Sequence, residues 1–581
     1  MKNKWLILGG FAFLLALPLL NLPPWFAPPE WSKALVFRAI AFLGLAGIGW
    51  ALLAPKPLFS GLKEALRPHR GLLLLLGSYV SVLLASTLLS QNPQMGLLGI
   101  PLRGGGALDL ALLFFFAVAL FTFLRERDWL TLWKVALGTG VLVALVALFQ
   151  QFGSPSELFV TGVSRPGSTI GGPAFLASYL LLLMFPAIAF GLQAKHSAAK
   201  MLYFGAVIVF IAVITLGLTR GAYLGLFAGL AWFVGWYPSP RRYRKLLQML
   251  VLAVAIIGIL SITYLNLAQL PKSLQDNQFF VGMHSRLQIE SLLEARYGTW
   301  VISWEAVKDR PLLGYGIENA LVGLNKNFDP SLPGISNPSE GWWLDRGHNI
   351  ILDTLLAGGI AALALFALFL FFLFQKLQRS KKTGTSRAVF FHAVQALLIT
   401  YVVANLTSFD SFSVQLLFFF AIAWSFSLLQ SSSVENLTRL NLPQGARILG
   451  AAAIPLAFVL VWQISLNPLL TNAKVNEATH LSNDTKTCEE SIALFDSLNQ
   501  REHIQVTKIH VKTQYANAIN RCISQDMRLS SLRTKQYQLL YEILQERPEH
   551  AEVWIRFGGL ATTFAEQSFS QGKTQEADLL F

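Results

Sequence analysis

Charge is scarce in this chain. Only 13% of its 581 residues are Asp, Glu, Lys or Arg, while 54% are hydrophobic, against roughly a quarter charged in an ordinary soluble domain. A soluble core has no room for that much apolar surface. Cysteine is nearly absent: Cys488 and Cys522 are the only two, too few for a zinc site of their own. No HExxH or CxxC spacing occurs, and no Asp-x-Asp pair stands in the loops assigned below to the outer side. The missing cysteines and zinc-binding spacings predict no structural zinc.

The apolar residues are gathered into thirteen blocks, from 5–20 at the start to 448–466 at the end. Each is roughly 15 to 25 residues long, the length of helix that crosses a hydrocarbon layer about 30 Å thick. The expected fold is all-α, a polytopic membrane helix bundle of twelve or thirteen spans. The first block follows Met-Lys-Asn-Lys and is read as a retained span, since no small-x-small cleavage pattern follows it. The net charge of +14 raises the question of nucleic acid. Its placement answers otherwise, because Lys and Arg concentrate in alternate loops, such as Arg241, Arg242, Arg244 and Lys245. By the positive-inside rule those loops are cytoplasmic, together with the N-terminus. Both cysteines then lie outside, where a disulfide is permitted but not implied.

One outward loop is long. Residues 268–347 carry Pro, Gly and Asn clusters and much of the tryptophan and charge of the membrane half, and loops of such length are usually functional. The expected division is a membrane domain over 1–470 and an outer helical domain over 471–581. In the latter, 489–498 and 535–544 repeat at the helical period. The run from Pro548 to Trp554, with Gly558, Gly559 and Ala561 after it, is similar to the opening helix of a tetratricopeptide repeat. One partial repeat leaves a plain helical tail equally open.

Three outward side chains are the chemical candidates. Arg220 lies in Leu218-Thr219-Arg220-Gly221, a short link between two apolar spans, where a cation is costly unless it is paired or lines a wet cavity. Snorkelling to lipid headgroups is the alternative. Arg296, Trp300 and Trp304 stand at i, i+4 and i+8, one cation and two indoles on one helix face. An interfacial amphipathic helix would show the same spacing. Next come Pro311-Leu312-Leu313-Gly314-Tyr315-Gly316, a turn that ends the helix, and then His348-Asn349 opening the span at Ile350. There the helix dipole and Arg346 disfavour the imidazolium, leaving His348 able to accept a proton; a plain polar cap is the bland reading.

Together these pieces resemble the O-antigen ligase and Wzy polymerase superfamily. Leu98-Gly99 through Arg103-Gly104, and Ser164 to Gly171 around Arg165, are similar to two further pieces of it. The resemblance covers roughly 99–362. It departs at Gly171-Gly172-Pro173, often Gly-Asn-Pro in the family, and at Ala357, near which the family often has a Glu. The resemblance implies transfer of a glycan from a polyprenyl-pyrophosphate carrier to an acceptor hydroxyl, without a metal. Arg220 and Arg296 would then hold the pyrophosphate, and His348 would be the general base. Arg103, Arg165 and Arg346 are secondary candidates, and Trp300, Trp342 and Trp343 candidates for stacking on sugar. The acceptor is left open among glycan, lipid and protein, hence among ligase, polymerase and protein oligosaccharyltransferase. A membrane transporter is the more remote alternative. The expected location is the bacterial inner membrane, with the site and the tail outside and a protein as possible partner of the tail.

Overall fold

A computed structural model describes residues 2–21, 27–53, 66–153, 165–267, 281–282, 284–285, 288–332, 335, 344–381, 386–430 and 444–570. Among them the regular elements are all helical. The first half comprises α1 (Lys2–Ala16), α2 (Pro29–Leu53), α3 (Arg70–Leu88), α4 (Pro93–Leu98), α5 (Ala107–Phe123), α6 (Glu126–Phe152), α7 (Pro173–Gln193), α8 (Ser197–Leu216), α9 (Arg220–Gly235) and α10 (Arg241–Leu267). Then come α11 (Ile289–Asp309), α12 (Ala320–Lys326), α13 (Ile350–Ser380), α14 (Ser386–Ala404), α15 (Phe412–Leu429) and α16 (Gln444–Val461). The tail holds α17 (Asn467–Leu481), α18 (Cys488–Asn499), α19 (Gln505–Gln525), α20 (Arg533–Glu546) and α21 (Ala551–Ser570).

All thirteen apolar blocks fall on helices, and among the described residues nine helices are long and apolar enough to cross a membrane. Proline opens α2, α4 and α7, where its missing N–H has no partner to lose. Large apolar side chains such as Leu252, Ile256 and Leu260 of α10 and Phe371 and Phe372 of α13 point outward. That outward greasiness suits lipid rather than water.

Buried charges are paired. Arg38 of α2 meets Asp109 of α5 through two hydrogen bonds of 2.6 and 2.5 Å and also reaches the Leu98 carbonyl. Lys33 donates to Glu30 and to the Thr169 carbonyl, and Glu30 accepts from the Ser413 amide and hydroxyl. Removing one partner of such a pair leaves an uncompensated charge, at a cost of about 3–5 kcal/mol, so these bonds pin the loops at this end of α2, α5 and α15 together. At the opposite end, Lys376 reaches the Pro68 carbonyl and Arg387 meets Glu126.

Close helix contacts fix the rest. Gly221, Gly225 and Gly229 form a stripe on α9, and a Cβ at Gly225 would stand 2.9 Å from the Thr400 carbonyl of α14. Small residues at this spacing let helices approach within the membrane. The final span does not stop at the membrane. α16 passes through a π-helical turn, Trp462–Leu466, straight into α17, so residue 470 lies inside a continuous helix. The core of the tail takes in Trp31 and Leu35 of α2 and Met95 and Leu98 of α4. A disulfide joins Cys488 to Cys522, tying α18 to α19.

Candidate active site

His348 stands two residues before α13, whose N-cap Asn349 accepts from the Ile351 amide at 2.9 Å. Asp353, in the first turn, accepts from the amides of Gly347 at 2.7 Å and Asn349 at 3.2 Å, which curls the chain back and holds His348 at φ +51°. The Ile350 amide donates to the Asn405 carbonyl. The imidazole meets the Phe409 ring edge-on at 4.9 Å, with its Nε2 3.9 Å from Asp345 Oδ1. Burial first, and Arg296 second, push its pKa down to about 4; Arg103 and Arg346 add to this and Asp345 opposes it. At neutral pH the imidazole is therefore uncharged.

Phe409 is the hub of the surrounding charge. Arg103 lies over its ring at 4.7 Å and Arg346 at 5.1 Å. Both guanidiniums are also engaged by carboxylates: Arg103 donates to Asp345 at 2.5 Å, and Arg346 donates a short bond to Glu318. Burial works to raise Asp345, but Arg103 and Arg346 outweigh it and hold the carboxyl below its usual range. These two arginines thus set the field around His348 while their charge is largely matched.

Arg296 lies on α11. It is half-buried, and burial lowers its pKa against the pull of Asp353. Trp300, one turn on, is half-buried with its indole N–H unpaired, whereas Trp304 is 51% exposed. α11 is held on α13 by the Pro311 to Gly316 segment. There α13 is broken at Gly359, φ +64°, and the segment fills the break. The Tyr315 and Gly316 amides donate to the Leu356 and Ala357 carbonyls at 2.6 and 3.1 Å, and the Ile360 amide donates to Pro311 at 2.8 Å. Ser86 of α3 caps the junction, donating to the carbonyls of Leu313 and Ala357.

Arg220 is the first residue of α9, separated from the end of α8 by three residues. A cation at a helix N-terminus opposes the dipole, so this end of α9 strongly favours an anion. Arg165 donates to the Gly217 carbonyl at 3.0 Å and to Thr219 Oγ1 at 3.4 Å, bracing the same turn. A Cβ at Gly221 would meet Thr407. Gly221, next to Arg220, and His348 therefore face one short segment, Thr407 lying against the first and Phe409 against the second.

Residues 204–367 match the family model described as O-antigen ligase. The chain carries an O-antigen ligase domain over that stretch. It is a glycan-transferring membrane enzyme. No curated protein matches it. The segment that matches the ligase model contains Arg220, Arg296 and His348, whereas Arg103, Arg165 and Phe409 come from outside it.

Several residues of the site carry no motif of their own in the sequence: Phe409, Glu318 and Asp410. Four non-glycine residues have positive φ among the described residues: Ser168, Leu218, Glu318 and His348. Leu218, Glu318 and His348 adjoin the site, the usual place for stored backbone strain. Trp342 and Trp343 lie outside the described residues. A cavity of about 160 Å³ opens beside the imidazole, lined by Glu318, Asp345, Arg346, Asp353, Phe409 and Asp410 among others. Arg220, Arg296 and His348 themselves are not in its lining.

Proposed function

We propose that this ligase transfers a glycan from a polyprenyl-pyrophosphate carrier to an acceptor hydroxyl at the outer face of the bacterial inner membrane, using arginine in place of a metal ion. The observation that carries the reading is the buried, neutral His348 in the field of Arg296, packed on Phe409, two residues from the Thr407 that faces Gly221. Arg220 and Arg296 hold the pyrophosphate oxygens, with bidentate geometry that Lys lacks. The acceptor oxygen attacks the anomeric carbon and passes its proton to the imidazole. The bond from that carbon to the pyrophosphate oxygen breaks, and its electron pair leaves with the carrier. Negative charge on the leaving group grows as the bond breaks, so the guanidiniums stabilise the transition state more than the ground state.

Binding of the donor also prepares the base. A pyrophosphate beside Arg296 offsets the charge that holds His348 down, so its proton affinity rises when there is a reaction to perform. The outward placement is supported by the basic loops at the opposite end of the bundle and by the disulfide in the tail.

The test is purified protein with a lipid-pyrophosphate glycan and candidate acceptors, following release of the free carrier pyrophosphate. Arg220→Ala, Arg296→Ala and His348→Ala should each slow transfer by about 10² or more while still inserting in the membrane, and EDTA should have no effect. Full activity in all three variants, or its loss to the chelator, would overturn the assignment.

A further inference from the structure

The tail has a cavity of its own, on helices that carry none of the transfer-site residues. It lies between α19, α20 and α21 and measures about 300 Å³, roughly twice an engineered cavity that accepts benzene. Arg533 of α20 and Arg556 of α21 line it, and among the described residues no carboxylate does. Arg556 is matched by Glu552 at 2.7 Å and also donates to Asn517 of α19. Arg533 has neither a carboxylate nor a hydrogen-bond partner among the described residues. Arg521 of α19 is half-buried in the field of Arg556, and its buried Nε has no partner. Like charges gathered in this way repel one another, and an incoming anion relieves them.

Guanidinium groups pair best with planar, bidentate anions such as carboxylates. The rest of the lining indicates what the carboxylate is attached to. Ile523, Leu540 and Leu560, all buried, give the cavity an aliphatic floor. Asn517, Asn520 and Gln536 bring amides to it, which both donate to and accept from peptide groups. Gln536 is 8% exposed and spends its Nε2 on the Ala516 carbonyl at 3.2 Å, so its Oε1 is left to accept a peptide N–H. A sugar ring finds no aromatic face in this lining to stack on, and a free phosphate makes no use of the aliphatic floor. A peptide with a carboxylate beside an aliphatic side chain fits the cations, the floor and the amides together.

We propose that this groove is a docking site for an acidic segment of a partner protein. A carboxylate of the segment, from Asp, Glu or a C-terminus, is taken by Arg533 and Arg556 with Arg521 behind them, and the aliphatic side chain next to it sits on Ile523, Leu540 and Leu560. The tail then recruits a protein to the enzyme, and the assignment stands apart from the transfer chemistry.

The probes are unlabelled tetrapeptides titrated by saturation-transfer NMR against the full chain in detergent: an acidic one alternating Asp and Leu, a neutral one alternating Asn and Leu, both as C-terminal amides, and the neutral one as the free acid. The acidic peptide should bind at least about tenfold tighter than the neutral amide, and less tightly as salt is raised. Free acid that binds like the acidic peptide identifies a C-terminal carboxylate as the ligand; free acid that binds like the neutral amide identifies an acidic side chain. Arg533→Gln and Arg521→Gln should each weaken the acidic peptide by about fivefold or more, the second remaining informative if the first does not fold. Arg528→Gln, at an 88% exposed side chain outside the cavity lining, should change binding by less than about twofold. The proposal is overturned if neither the acidic peptide nor the free acid binds tighter than the neutral amide, if both groove variants bind like the wild type, or if inorganic phosphate or methyl glucuronide displaces the peptide at equal concentration.

Discussion

The proton of His348 is governed by its surroundings, and the governing groups come from four places in the chain. Burial is the largest influence and Arg296 the next, with Arg103 and Arg346 behind them. Sequence reasoning reached the right direction from Arg346 and the helix N-terminus, but those are not the main causes, because burial and the approach of Arg296 are products of packing. The pH dependence follows with its sign. The base must be neutral, so activity is lost as pH falls through its pKa. In kcat/KM, which reports the free enzyme, the acid limb should lie well below the ordinary 6.5, towards 4; in kcat it should lie higher, because bound pyrophosphate offsets Arg296. Arg296→Gln should move the free-enzyme limb upward. pH–rate profiles check this, and an acid limb near 6.5 in both enzymes would sink it. Arg103 and Arg346, secondary candidates for the pyrophosphate or glycan, are each engaged by a carboxylate, Asp345 and Glu318 respectively.

Among the elements, the pairing of the Pro311 to Gly316 turn with the broken helix α13 determines how α11 sits. Gly359 has φ +64°, and a Cβ there would stand 2.2 Å from the Leu312 backbone. Gly359→Ala should therefore destabilise the protein by about 2–4 kcal/mol, read as a fall in the thermal unfolding midpoint in detergent. Gly9→Ala, with nothing within 4 Å of the added atom, is the control and should be near neutral. Equal losses in the two would remove the argument. The turn itself was legible, since proline and glycine spell it locally. The break in α13 was not. Ala357-Gly358-Gly359 sits in a long apolar run that reads as uninterrupted helix, and only the carbonyls and amides of a distant segment satisfy the opened backbone.

The whole molecule is joined by contacts between the tail and the loops around the site. Glu549 accepts from Arg547 at 2.6 Å and from Asn92 at 2.8 Å, its carbonyl accepts from Asn325 of α12, and Asn92 in turn is bonded to Asn319, the neighbour of Glu318. Glu549→Gln leaves Arg547, only 2% exposed, without its counter-charge, a loss of about 3 kcal/mol. Amide hydrogen exchange in 92–98 and 320–326 should rise in that variant, and unchanged protection would show that the tail is merely adjacent. The sequence by itself determined that this is a helical membrane protein, where its helices lie, which ends carry positive charge, and which three side chains to suspect. Those features are local, written in runs of apolar residues and short motifs whose energetics depend on near neighbours and on lipid. Only the tertiary structure decided which arginines are matched by carboxylates, that Phe409 gathers them beside His348, and that a cavity opens there. Each of these depends on residues far apart in the chain meeting where water is excluded, and the strength of their charges and hydrogen bonds is set by that burial.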